Sequence, residues 1–339
     1  MKKIIYLSMA IHPEDVTVEV IKRLRDDALG HVRSLTPKMR LVTKADDPLA
    51  VEVDIDTNPK DRFRFYNAYA GKVDQHRYRI RIGAGLLLQF DVFAQAMVAD
   101  ETVLKGMRSA RFLTDAARAL GKARLLHDFF FHFMVSAVFW HELAHIVLGH
   151  LDWLGAQGSE QALFELPMAA SHEDVRGASQ SLEYDADRQA SKWLLAVVDL
   201  ALSNNPSLRY AEDADRFYDF GFLIGFIFRA LDALESKIPD CKRVHPDNNV
   251  RTLASLHYLD TYFDQYRSSR KVEYRIACLE GAKAALQSVL HDQIRLPDQA
   301  EIILNCARAD MTIETLGVRA HQLKLVNDKT TFSVGKILE

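Results

Sequence analysis

The chain has 339 residues, enough for a large core, with a formal net charge of −3 and 26% charged residues. That balance provides no bulk attraction to nucleic acid, so direct nucleic-acid binding is not expected. Its three cysteines, Cys241, Cys278 and Cys306, are widely spaced without a Cys-x-x-Cys pair, which argues against a disulfide framework or zinc ribbon and for a reducing, cytoplasmic setting.

Residues 1–10 start basic and turn apolar like a signal peptide, but the run stops at His12-Pro13-Glu14-Asp15 and reads as a first β-strand. Further on, Val51, Val53 and Ile55 alternate with Glu52, Asp54 and Asp56. Tyr78, Ile80 and Ile82 alternate in the same way with Arg77, Arg79 and Arg81. A period of two predicts a half-buried strand at each place, with charge on one face. Gly83-Ala84-Gly85 follows the second strand without the Gly-x-Gly-x-x-Gly spacing of a phosphate loop, and leads into an apolar helix over residues 86–98.

Residues 129–148 run apolar with no Gly or Pro until Gly149, interrupted by His132, His141, Glu142 and His145. Such a run is a helix buried on most sides. Its length would span a membrane, but those four polar residues argue for a core helix, and residues 220–228 stop too soon, at Arg229. No transmembrane segment is expected. Within the run lies His141-Glu142-Leu143-Ala144-His145. Residues four apart sit about 40° apart around a helix, so the two histidines project from one face, one turn apart. That spacing suits two ligands of one zinc ion, with Glu142 beside them to take a proton from the attacking water. Five residues of this kind arise by chance in roughly three of a hundred such chains, so the context decides. Histidines and a glutamate in a buried helix are costly unless something binds them, and a metal is the natural compensation.

Two residues compete to be the third ligand. If the helix continues, His150 is turned about 140° from His145 and about 180° from His141. Gly149 also looks like a helix end, so a cap or a solvated histidine is the preferred reading of His150. Glu183 lies in a helical stretch over residues 181–195, on one face with Asp187, where Ala186 and Ala190 keep the face narrow enough for close helix approach. Metal-bound histidines usually pass their other N–H to a carboxylate, and Asp187 can do this for His141. The competing reading is an exposed acidic helix around Arg188. The upstream motif tips the choice to Glu183 as ligand. The connection between the two stretches, residues 155–180, is long enough to carry a lid or specificity loop.

Glu183-x-x-Ala186-Asp187 after the histidine motif resembles the gluzincins, zinc peptidases with two His ligands and one Glu ligand. The later element His245-Pro246-Asp247-Asn248-Asn249-Val250-Arg251 is similar to the His-Pro-x-x-x-x-Arg element of the HtpX and CAAX prenyl protease families. Residues 140–150 also resemble the ImmA/IrrE peptidases, although those usually have Asn at the place of Asp187. The Lit-type phage-exclusion peptidase family is the nearest resemblance, through the apolar lead into His141, the stretch from Ala186 to Leu195, and His245-Pro246. It covers residues 125–260 and implies a zincin-like fold. As partners it implies a protein substrate, with elongation factor Tu as the candidate, and a phage-derived activator. In gluzincins generally an edge strand beside the metal helix binds substrate backbone, which makes Arg77, Arg79 and Arg81 on the second strand the candidate substrate-binding residues.

The expected fold is α+β, a zincin-like domain with a small mixed sheet and a mainly helical core. The divisions are residues 1–75, an α/β segment; 76–260, the peptidase domain; and 261–339, a helical region ending in a hairpin around Asn327-Asp328-Lys329. The expected mechanism has Zn2+ held by His141, His145 and Glu183, with Glu142 as general base and then acid. A second oxyanion donor is needed: His245 is the first choice and Tyr184, also a substrate contact, the second, while a structural histidine braced by Pro246 competes. Arg251 is expected to hold an acidic partner near the site, Asp187 or Asp185. The alternative function is a non-catalytic metal-binding or partner-binding protein.

Overall fold

The computed structural model describes residues 17–35, 39–99, 106–108, 124–156, 173–203, 212–235, 248–257, 259, 262–264, 268–288 and 298–327. The strand expected over residues 1–10 lies outside them. The fold is mixed α+β, with a small five-stranded mixed sheet.

Helix α1 (Val18–Leu35) buries Leu24, Ala28 and Val32, which recur every four residues on one face. Strands β1 (Met39–Val42) and β2 (Pro48–Asp56) then pair antiparallel. A single helical turn (Arg62–Phe65) leads to β3 (Ala68–Lys72), which pairs antiparallel with β4 (Arg77–Gly83). β4 inserts beside β2 and parallel to it, and a distant fifth strand, β5 (Lys324–Asn327), joins β1, so the order is β3-β4-β2-β1-β5.

The alternation read from the sequence separates the two faces of this sheet. Tyr78, Ile80 and Ile82 are buried on the side where α1, α2 (Ala84–Ala99) and α3 (Leu125–Val147) pack. On the other face Arg79 donates to Glu52 Oε2 from Nε at 3.0 Å and Nη2 at 2.6 Å, and Arg81 donates to the Tyr69 hydroxyl at 3.2 Å. Arg77 donates to Asp74 at 2.6 Å. Gly83 and Gly85 let the helical turn lie directly on the start of α2: a Cβ at Gly83 would be 2.1 Å from the Phe65 carbonyl oxygen. Close packing therefore explains the Gly-Ala-Gly stretch, and the helix starts at Ala84 with no intervening loop.

Helix α3 is long and apolar enough to cross a membrane, yet 83% of its most apolar window is buried inside the protein. After α4 (His150–Ala156), α5 (Glu173–Ser203) packs along α3. Residues 173–180 thus belong to a helix rather than to the loop expected over 155–180, and residues 157–172 lie outside the described set. Helices α6 (Asp213–Glu235), α7 (Asn248–His257), α8 (Lys271–Ser288) and α9 (Gln299–Thr315) follow among the described residues. The chain leaves α9 through Gly317, at φ 67°, and a 3-10 turn (Val318–His321). It reaches β5 after the Leu323 N–H donates to the Val147 carbonyl at the end of α3, at 2.8 Å. The first half of the expected C-terminal hairpin is therefore β5, paired with β1, while residues 330–334 lie outside the described set. This sheet draws strands from all three expected divisions of the chain.

Candidate metal centre

The last two turns of α3 carry the motif, and the helix stops just beyond it. Gly149, at φ 79°, turns the chain in a conformation that side chains resist, and a Cβ there would also lie 2.3 Å from the His321 backbone. Opposite stands α5, whose Ala186 (0% exposed) and Ala190 (6%) present little bulk. Glu183 and Asp187, one turn apart on α5, meet the two histidines there.

His141 Nε2 lies 3.0 Å from His145 Nε2 and 3.2 Å from Glu183 Oε2, and His145 Nε2 is 3.5 Å from Glu183 Oε1. Four ligand atoms placed tetrahedrally at zinc's usual bond lengths would stand about 3.3 Å apart. The buried group His141, His145 and Glu183 can thus hold a metal ion, and its donors, two imidazoles and a carboxylate, suit a borderline cation. His141 is the open side: its side chain is 16% exposed, against 6% for Glu183 and 2% for His145. Glu142 is buried beside His141 on the same helix.

Each of the two histidines has a partner on its far nitrogen. His141 Nδ1 lies 2.8 Å from Asp187 Oδ1, and Arg251 on α7 clamps that carboxylate with Nε at 2.7 Å and Nη2 at 2.9 Å. Burial alone would make a proton on His141 costly, but Asp187 and Glu183 outweigh it and push the imidazole up to about 10. His145 goes the other way, well below the ordinary histidine value: burial dominates, Glu183 opposes it, and His141 and His150 add to it. Asp187 is held below the usual carboxylate range because Arg251 and His141 outweigh its burial.

His150 requires a correction. The sequence reads this residue as a cap or a solvated histidine. Instead it is fully buried, with Nδ1 2.8 Å from His145 Nδ1 and Nε2 3.2 Å from Asp185 Oδ2. The helix does not continue: Gly149 folds the chain back, so His150 stands behind His145. The Gly149-His150 pair was the only local signal, and nothing local points to Asp185 or to Arg319 across 134 residues.

Arg77, Arg79 and Arg81 are also corrected. β4 is bonded on both sides and is not an edge, and its arginines lie on the face of the sheet opposite α3, engaged by Asp74, Glu52 and Tyr69. Among the described residues the edge strand beside α3 is β3. Tyr184 is half-buried next to Glu183, and His245 lies outside the described residues. Comparison of the chain with models of protein families, with curated proteins and with solved structures yields no match in any of the three.

Proposed function

We propose that this chain is a zinc-dependent endopeptidase of the gluzincin type. The observation that carries the reading is the convergence of His141, His145 and Glu183 from two helices, His141 being the most exposed of the three and Glu142 the residue next to it in the chain. Zinc bound there supplies a Lewis acid for the peptide carbonyl and lowers the pKa of the attacking water. The Glu142 carboxylate accepts that water's proton as the oxygen bonds to the carbonyl carbon. The C–N bond then breaks as Glu142 returns the proton to the leaving nitrogen. Asp187 holds the His141 ring through Nδ1, and Arg251 holds Asp187 in turn. As the edge strand beside α3, β3 is the candidate for pairing with substrate backbone. For the second oxyanion donor, His245 and Tyr184 remain the residues to test.

The Lit-type resemblance nominates elongation factor Tu as substrate and a phage component as activator. Glu142→Gln is expected to retain about one zinc per chain by elemental analysis, while cleavage falls by about 10²–10⁴-fold. New N-termini are to be compared in cells expressing the wild type or Glu142→Gln, with and without phage. Unchanged cleavage by the variant sinks the mechanism, and the lack of elongation factor Tu fragments removes that substrate alone. The alternative, a metal-binding protein without catalysis, predicts no difference in N-termini between the two strains.

A further inference from the structure

We infer that His150 is a positioning residue of the metal centre, which with Asp185 keeps the proton of His145 on Nδ1 so that Nε2 turns a lone pair toward the metal. The inference rests on the metal-site reading above. It begins with Asp185, which is 4% exposed and tightly held: Arg319 donates to both of its oxygens at 2.6 Å, and Arg188 donates to Oδ1 at 2.6 Å. Two guanidinium groups on one carboxylate hold it as the anion, the form that accepts all of these bonds.

An ionised carboxylate only accepts hydrogen bonds. His150 Nε2, 3.2 Å from Asp185 Oδ2, is therefore the donor of that bond. In the imidazole tautomer that carries its proton on Nε2, Nδ1 presents a lone pair. That atom faces His145 Nδ1 at 2.8 Å, so the single proton between the two rings belongs to His145. His145 in turn carries its lone pair on Nε2, the atom 3.0 Å from His141 Nε2 and 3.5 Å from Glu183. The opposite tautomer would aim a proton into the site and deny it a ligand.

The two ligand histidines are thus oriented by different means. Asp187 reaches His141 directly, whereas His145 is served through an interposed imidazole. The reason lies in the chain path: α3 ends two residues after His145, and the turn at Gly149 brings the first residue of α4 behind the ring. An apolar ring of similar size could fill that volume. Only a group with an acceptor at the Nδ1 position can fix the His145 proton.

The test uses cobalt(II) and zinc(II) as probes on the full chain, stripped of metal with a chelator, as wild type, His150→Phe and His150→Asn. Circular dichroism and thermal melts establish which variants fold. His150→Phe is expected to weaken both metals by about 10–100-fold and to shift the visible cobalt absorption. His150→Asn, whose amide oxygen can stand near the Nδ1 position, is expected to recover most of the affinity. A folded His150→Phe chain with wild-type affinity and spectrum overturns the inference alone. A wild-type chain that takes up neither metal overturns the metal-site reading and this inference with it. If His150→Phe does not fold, the ring nitrogen shifts of ¹⁵N-histidine in the zinc-loaded wild type decide. Protons on His145 Nδ1 and His150 Nε2 support the inference, and a proton on His150 Nδ1 overturns it.

Discussion

His141 sits between two carboxylates, Asp187 and Glu183, and both favour its protonated form. The folded value of about 10 lies above the ordinary 6.5, so the metal-free fold gains from that proton fully below pH 6.5 and loses the gain as pH rises to 10. A metal needs the same Nε2 lone pair. Its apparent affinity should therefore climb about tenfold per pH unit below that value and level off above it. His145, held well below the ordinary value, has no proton to release at neutral pH. Calorimetric titration of zinc at pH 7.5 in buffers of different ionisation enthalpy is expected to show about one proton released per metal from the histidine pair; none released would contradict the assignment. Behind His141, Arg251 and Asp187 are both almost fully buried. Arg251→Met should destabilise the chain by about 1–3 kcal/mol, because it leaves the buried Asp187 carboxylate with His141 but without the two guanidinium hydrogen bonds. The double variant with Asp187→Asn should recover part of that loss in urea unfolding, and strictly additive losses would count against the clamp.

Between elements, α6 and α8 approach each other closely through glycines. A Cβ on Gly281 would lie 1.9 Å from the Tyr218 carbonyl oxygen, and one on Gly221 the same 1.9 Å from that of Cys278. Because the obstacle is backbone, no side chain can move aside, and the helices must part. Alanine would improve helix propensity by about 1 kcal/mol, but overpacking costs about 1–3 kcal/mol and here strikes main chain. Gly281→Ala is accordingly expected to lower the urea midpoint, and a raised midpoint would show that the contact is softer than its geometry. The other helix pairing of consequence, α3 with α5, is close for the same reason, smallness at Ala186 and Ala190. That closeness lets a glutamate, with a side chain of ordinary length, reach both histidines.

Across the whole molecule, the C-terminal segment does more than extend the sheet. Arg319 grips Asp185, Leu323 caps the end of α3, and β5 pairs with β1, so chain beyond α9 braces both the sheet and the outer side of the candidate metal centre. None of this could be read along the chain, because contacts spanning more than a hundred residues leave no local period. What the sequence determined by itself was local. Alternation over residues 51–56 and 77–82 marked two strands and their charged face, and the four-residue spacing of His141 and His145, like that of Glu183 and Asp187, set each pair on one helix face. Those features follow from the fixed periods of strand and helix, which any stretch of chain carries with it. The tertiary structure decided the rest: that β4 is enclosed and β3 is the edge among the described strands, that α5 lies close enough for Glu183 and Asp187 to meet the histidines, and that His150 stands behind His145. Each of these depends on strand order, on a helix crossing or on one glycine at positive φ, and such choices are made by packing between distant segments rather than by the residues nearby.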